Sequence, residues 1–118
     1  MANFKSAILT TGSYAKVGEA EVQMIAPVDV SNEDRLSFQF YNLDDDADVV
    51  KVYGRLGVGS GSFFSASDYT QIGDDITVAA TTSVLKSIAT TGLNWCGVTI
   101  TPGDEEGLNT TWAMLRQA

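Results

Sequence analysis

A chain of 118 residues, 44% of them apolar and 19% charged, has the length of one domain, with enough apolar surface to bury a core and too much to stay disordered. Net charge is −8, from 15 acidic and 7 basic residues, and the basic ones are scattered singly, which argues against nucleic acid as a partner. Cys96 is alone, so no intrachain disulfide forms, and no run reaches the roughly 20 apolar residues a membrane helix needs, so no membrane partner is expected.

Residues Met1 to Ser6 hold no basic stretch followed by an apolar run, so the expected place of synthesis is a cytoplasm, without export. From there the dominant pattern is alternation at period two, rich in β-branched and aromatic residues and bounded by Gly, Asn and Asp. Strands are predicted over Ser6–Thr11 and over Ala20–Ala26, where Pro27 marks an edge or an exit because it cannot donate to a ladder. Leu36–Asn42 is the clearest strand, with Leu36, Phe38 and Phe40 on one face and Ser37 and Gln39 on the other. Val49–Leu56 follows, and the acidic stretch Asn42–Asp48 between the two is predicted to close a hairpin of antiparallel neighbours.

Gly57–Ser62 is predicted to be a flexible loop, with order resuming at Phe63-Phe64, and Gln71–Asp75 a turn into the strand Ile76–Ala80. Val84, Leu85 and Ile88 fit one face of a short helix closed by Gly92 or part of another strand, and residues 81–91 stay open between the two. Cys96, Val98 and Ile100 then alternate with Gly97 and Thr99. A last strand over Thr111–Arg116 is predicted to pair with them as a terminal hairpin. Short strands at near-regular spacing imply an all-β fold, an antiparallel β-sandwich or jelly-roll-like domain over residues 1–118 with at most one short helix.

Catalytic patterns are sparse. The chain has no histidine, which removes Ser-His-Asp and Cys-His nucleophiles and His-ligated zinc. No basic residue adjoins Cys96 in sequence to lower its thiol pKa, and a small buried apolar role suits it better. Asp44, Asp46 and Asp48 alternate as in a calcium loop, but Val49 stands where the sharp turn needs Gly and Arg55 where a bidentate Glu is needed. They are metal candidates only in the weak sense of crowded carboxylates, and no cofactor is expected. Gly57, Gly59 and Gly61 lack the Lys-Ser or Lys-Thr of a phosphate loop. Paired carboxylates of a glycosidase need a cleft that so small a domain has little room for. For binding, Phe63, Phe64 and Tyr69 beside the Gly-rich loop are the aromatics expected to be partly exposed, and Phe4 sits in a polar N-terminal segment suited to adding to a neighbour's sheet edge or to fraying from the first strand.

Three stretches carry a family resemblance: Tyr69–Ala79 with its aromatic-x-Gln-Ile-Gly turn, Leu93–Thr101, and the closing Thr110–Arg116. Their order resembles that of small β-sandwich virion proteins of tailed bacteriophages, of the capsid decoration, cement or tail-surface type. The resemblance implies a non-enzymatic virion component that docks on the major capsid protein or another virion protein, often as a homo-oligomer. It implies no catalytic residues. A tail or head-tail component is the variant of that expectation, and a carbohydrate-binding β-sandwich module, with or without calcium, is the alternative.

Overall fold

The computed structural model describes residues 7–15, 18–31, 34–56, 69–103 and 110–117. They form nine strands and no helix: β1 (Ala7–Tyr14), β2 (Val22–Asp29), β3 (Arg35–Asn42), β4 (Asp48–Arg55), β5 (Thr70–Gln71), β6 (Ile76–Val78), β7 (Ser83–Ala89), β8 (Trp95–Thr101) and β9 (Thr110–Gln117). Alternation does what it promised in β3 and β4. Leu36, Phe38 and Phe40 are buried from one strand and Val50 and Val52 from the next, with less buried residues between them. The segment left open as helix or strand is strand β7, held to β3 along its length from Arg35↔Ala89 to Tyr41↔Ser83.

The strands divide into two antiparallel sheets, ordered β1-β9-β3-β7 and β2-β8-β4-β5, with β6 also paired to β4. β5 and β6 meet opposite ends of β4, and Ile72 N bonds Val52 O between them at 2.8 Å. They therefore act as one interrupted strand, broken at Gly73, whose φ of 75° suits a residue without a side chain. Counted that way, the eight strands fill two four-stranded sheets in the order of a jelly roll.

Neither predicted hairpin forms. β3 and β4 lie in different sheets, and so do β8 and β9. The acidic stretch after β3 carries the chain across the sandwich. Alternation specifies which face of a strand is apolar, and two rows facing each other across a core show the same pattern as two neighbours in a hairpin. Pro27 does lie on an edge: β2 ends its sheet, and its register against β8 shifts at Gln23/Ile25 and again at Ile25/Val28, spanning the proline.

The inner faces enclose a core of Met24, Ile25, Val30, Leu36, Phe38, Phe40, Val50, Val52, Ile76, Val78, Cys96, Val98 and Ile100. The Phe38 and Phe40 rings stack with centroids 5.8 Å apart. Trp112, opposite Phe40 on β9, packs against this cluster from the β1 side. There its ring lies over Gly12, where a Cβ would come within 2.7 Å of Cζ2.

Candidate functional site

At one end of the sandwich a polar network ties the crossings together. Asn42 is fully buried. Its Nδ2 donates to the Asp46 carbonyl (2.6 Å) and the Val78 carbonyl (3.2 Å), and its Oδ1 accepts from the Asp44 amide (3.0 Å). Asp48, also fully buried, accepts from Thr110 Oγ1 at 2.6 Å and from the Gly103 amide at 3.3 Å. A side chain on Gly103 would run into the Ala47 carbonyl, so only glycine lets these two segments approach so closely. These groups satisfy buried backbone and fix the crossing.

That network redraws the candidate cation cluster. Carboxylate oxygens of Asp44, Asp45 and Asp46 come within 4.8 Å of one another, while Asp48 is turned to Thr110 and Gly103. The alternate spacing that grouped Asp44, Asp46 and Asp48 needs all three in one turning loop, and here only 44–46 form the bend while Asp48 opens β4. Asp44 serves the turn as well, its Oδ1 accepting from the Asp45 amide (2.8 Å) and its carbonyl from the Thr81 amide (3.0 Å). No sequence pattern marked Asn42 as the organiser of this end, although an Asn closing a strand before an acidic turn is the residue type that bonds backbone two positions on.

The predicted aromatic patch divides differently. Tyr69 is 5% exposed, which corrects the expectation of a partly exposed ring. The chain enters β5 beside β4, and the Arg55 guanidinium lies over the Tyr69 ring, 5.8 Å from its centroid. Phe4, Phe63 and Phe64 lie outside the described residues. The large apolar side chains most open to solvent among those described are Leu85 (72%), Leu56 (65%), Tyr41 (39%) and Leu43 (38%), of which Leu85 and Tyr41 lie on the outer face of the β1-β9-β3-β7 sheet.

The described strands of both sheets hold little acid, and those of this sheet hold none. Of the 15 acidic residues only Asp29 and Asp48 fall in the described strands, and both belong to the opposite sheet. The strands β1, β9, β3 and β7 hold no Asp or Glu, and their charged residues are Arg35, Lys86 and Arg116. Outward from β3 and β7 stand Arg35, Ser37, Gln39, Tyr41, Leu85 and Ser87, with Arg35 Nη1 donating to Ser87 Oγ at 3.0 Å. A shallow recess of about 270 Å³ runs between Gln39, Tyr41, Thr111 and Trp112. The result is an extended surface of hydroxyls, amides and two exposed apolar groups, free of acid.

Two groups with chemical potential lie elsewhere. The Cys96 thiol is fully buried, and loss of hydration pushes its pKa up to about 12, which keeps it protonated at neutral pH. On the outer face of the other sheet, Tyr53 Oη and Thr99 Oγ1 both donate to Glu21 Oε2, at 2.9 and 2.6 Å. Partial burial, then the Glu21 carboxylate, raise the Tyr53 pKa above the ordinary phenol range.

No family model matches the chain, and no curated protein does. Solved structures do match. The crystal structure of PirA aligns over 92% of this chain and 93% of its own, at 6% identity and a TM-score of 0.57. A protein of Bacillus endospore appendages, described as a family of disulfide-linked pili, aligns over 100% and 94%, at 15% identity and a TM-score of 0.52. A chain of infectious bursal disease virus, Gx strain, aligns at 11% identity with a TM-score of 0.42, and this chain spans about a third (32%) of it. What the first two share with this chain is the fold.

Proposed function

We propose that the chain is a non-enzymatic structural protein of a virion, which decorates or cements an assembled capsid by laying the outer face of the β1-β9-β3-β7 sheet on the shell. One observation carries the surface-binding part: a molecule of net charge −8 keeps every described strand of this sheet free of Asp and Glu. Clustered acid on a contact face would have to be desolvated against its partner, and charged residues are depleted at the centres of interfaces. Hydroxyls, amides, a Tyr and a Leu supply hydrogen bonds and apolar contact without that cost.

The capsid as partner comes from the resemblance of Tyr69–Ala79, Leu93–Thr101 and Thr110–Arg116 to phage virion proteins. A pilus protein among the structural neighbours accords with a role in assembly. Contacts of this kind are individually weak and gain strength by repetition over a lattice, and a protein that binds only the assembled shell stabilises it by mass action. The test is to mix the purified protein with undecorated particles of the parent virus, pellet them, and heat them. Co-sedimentation and a higher particle melting temperature are expected. Absence of both overturns the proposal.

A carbohydrate-binding role has one observation in its favour, the Tyr41 ring beside Gln39 and Thr111 at the recess. Binding on a glycan array that Tyr41→Ala abolishes would favour it over the capsid reading.

A further inference from the structure

The outward rows of β3 and β7 run side by side on the acid-free face, Arg35, Ser37, Gln39 and Tyr41 against Ala89, Ser87, Leu85 and Ser83. Tyr41 and Leu85 make one end of this double row apolar. The other end is a cluster of hydrogen-bond donors. Arg35 Nη1 donates to Ser87 Oγ at 3.0 Å, and both side chains are exposed. A guanidinium carries several N–H groups and accepts nothing, so the rest remain for other acceptors. The Ser87 hydroxyl, having accepted from Arg35, keeps its own hydrogen to donate. The described strands of this sheet contain no carboxylate to meet these donors. Asp34, adjacent in sequence, precedes β3, and its carbonyl accepts from the Thr90 amide at 2.9 Å.

The other basic residue of these two strands, Lys86, has a different place. It is in register with Phe38 on the inward row of β7 and lines a recess of about 190 Å³ with Asp74, Asp75, Ile72, Ile76 and Ile88. An inward-pointing lysine on an edge strand keeps its ammonium in water only while no further strand closes over it. Lys86 thus blunts the edge of β7, and Arg35 is the charged group that β3 and β7 present on the outer face.

We propose that Arg35 and Ser87 form a receptor for a carboxylate, an Asp or Glu side chain of the shell protein, with Leu85 taking an apolar side chain beside it. Charge complementarity selects this occupant. A carboxylate offers only acceptors, and its geometry matches the planar fork of an arginine. A basic group would oppose the guanidinium's own charge, and a wholly apolar surface would bury that charge unpaired. Leu85 and Ser87 are two positions apart on one strand, so the acid and its apolar neighbour stand about 7 Å apart on the partner. The net charge of −8 repels an acidic surface at long range, but salt screens that repulsion beyond about 8 Å, and the contact acts within hydrogen-bond reach. The inference rests on the docking reading for the identity of the partner and adds the chemistry of its epitope.

The experiment has two arms. In the first, the isotope-labelled full chain is titrated with N-acetyl-Asp-Leu amide to tens of millimolar, and the Arg35 Nε–H and Ser87 amide resonances are followed by NMR. Saturable shifts at both are expected, and N-acetyl-Asn-Leu amide should leave them in place. In the second, undecorated particles are pelleted with the wild type, Arg35→Ala and Arg35→Lys, all three first shown to melt at the same temperature. Arg35→Ala should bind about tenfold more weakly. Arg35→Lys should bind nearly as weakly, because an ammonium keeps the charge and loses the fork. No shift with the Asp peptide, equal shifts with the Asn peptide, or unchanged particle binding by Arg35→Ala overturns the proposal. So do shifts caused by glucuronate and not by the peptide, which would assign the pair to an acidic sugar. Shifts with the Asp peptide beside particles that bind no variant, the wild type included, sink the capsid reading and leave carboxylate recognition standing.

Discussion

Gly12 and Trp112 show how much one missing side chain matters. The indole covers Gly12 at the rim of the core, and a β-branched side chain there would overlap the ring. Gly12→Val is expected to lower stability by about 1–3 kcal/mol, read as an earlier urea midpoint at unchanged slope. Cys96 gives the second residue-scale expectation. Its folded pKa is raised from 9.0 to about 12, so the folded state holds the proton that the unfolded state releases. Stability from this group is fully present below about pH 9 and is lost as pH rises towards 12, and the raised Tyr53 pKa acts in the same direction. Urea midpoints followed from pH 7 upward should fall more steeply for the wild type than for Cys96→Ala, and equal slopes would show that burial does not shift the thiol. At this scale the sequence was informative where local pattern decides: Leu36, Phe38 and Phe40 are core, and Cys96 is a small buried apolar group. It placed Tyr69 at the surface, because the guanidinium over that ring belongs to β4, and it set Asp48 among the weak cation candidates, because the groups it accepts from, Gly103 and Thr110, come from the far end of the chain.

Strands were legible as elements and illegible as partners. β3, β4 and β8 appear close to where alternation placed them, yet both predicted hairpins turn out to be crossings between sheets. The information that separates the two lies in which rows face each other across the core, a property of pairs of strands far apart in sequence. β7 was ambiguous because Val84 and Ile88 sit four residues apart, a spacing shared by a helix face and by a strand's inward row. Lys86 on that same row is what makes the strand reading interesting. Lys86→Val should leave the fold intact or slightly firmer while opening β7 to other chains, and the measurable sign is concentration-dependent light scattering absent from the wild type. A Lys86→Val protein as soluble and monodisperse as the wild type would mean that the lysine guards nothing.

Across the whole molecule, charge and shape are sorted together. The acids gather outside the described strands, the β1-β9-β3-β7 sheet is free of them, and buried polar groups such as Asn42 and Asp48 hold one end of the sandwich closed. The all-β class was readable from the period-two pattern. The asymmetry between the two sheets was not, since it depends on which strands share a sheet. That asymmetry is the reason to expect a contact face at all, and Leu85, 72% exposed at its β7 margin, is the place to challenge it. The most direct measurement is particle co-sedimentation of the wild type beside Leu85→Asp, with both proteins first shown to melt at the same temperature. The wild type should pellet with undecorated particles and raise their melting temperature, while Leu85→Asp stays in the supernatant. Equal binding by the two proteins, or binding by neither, would contradict a docking role for this face.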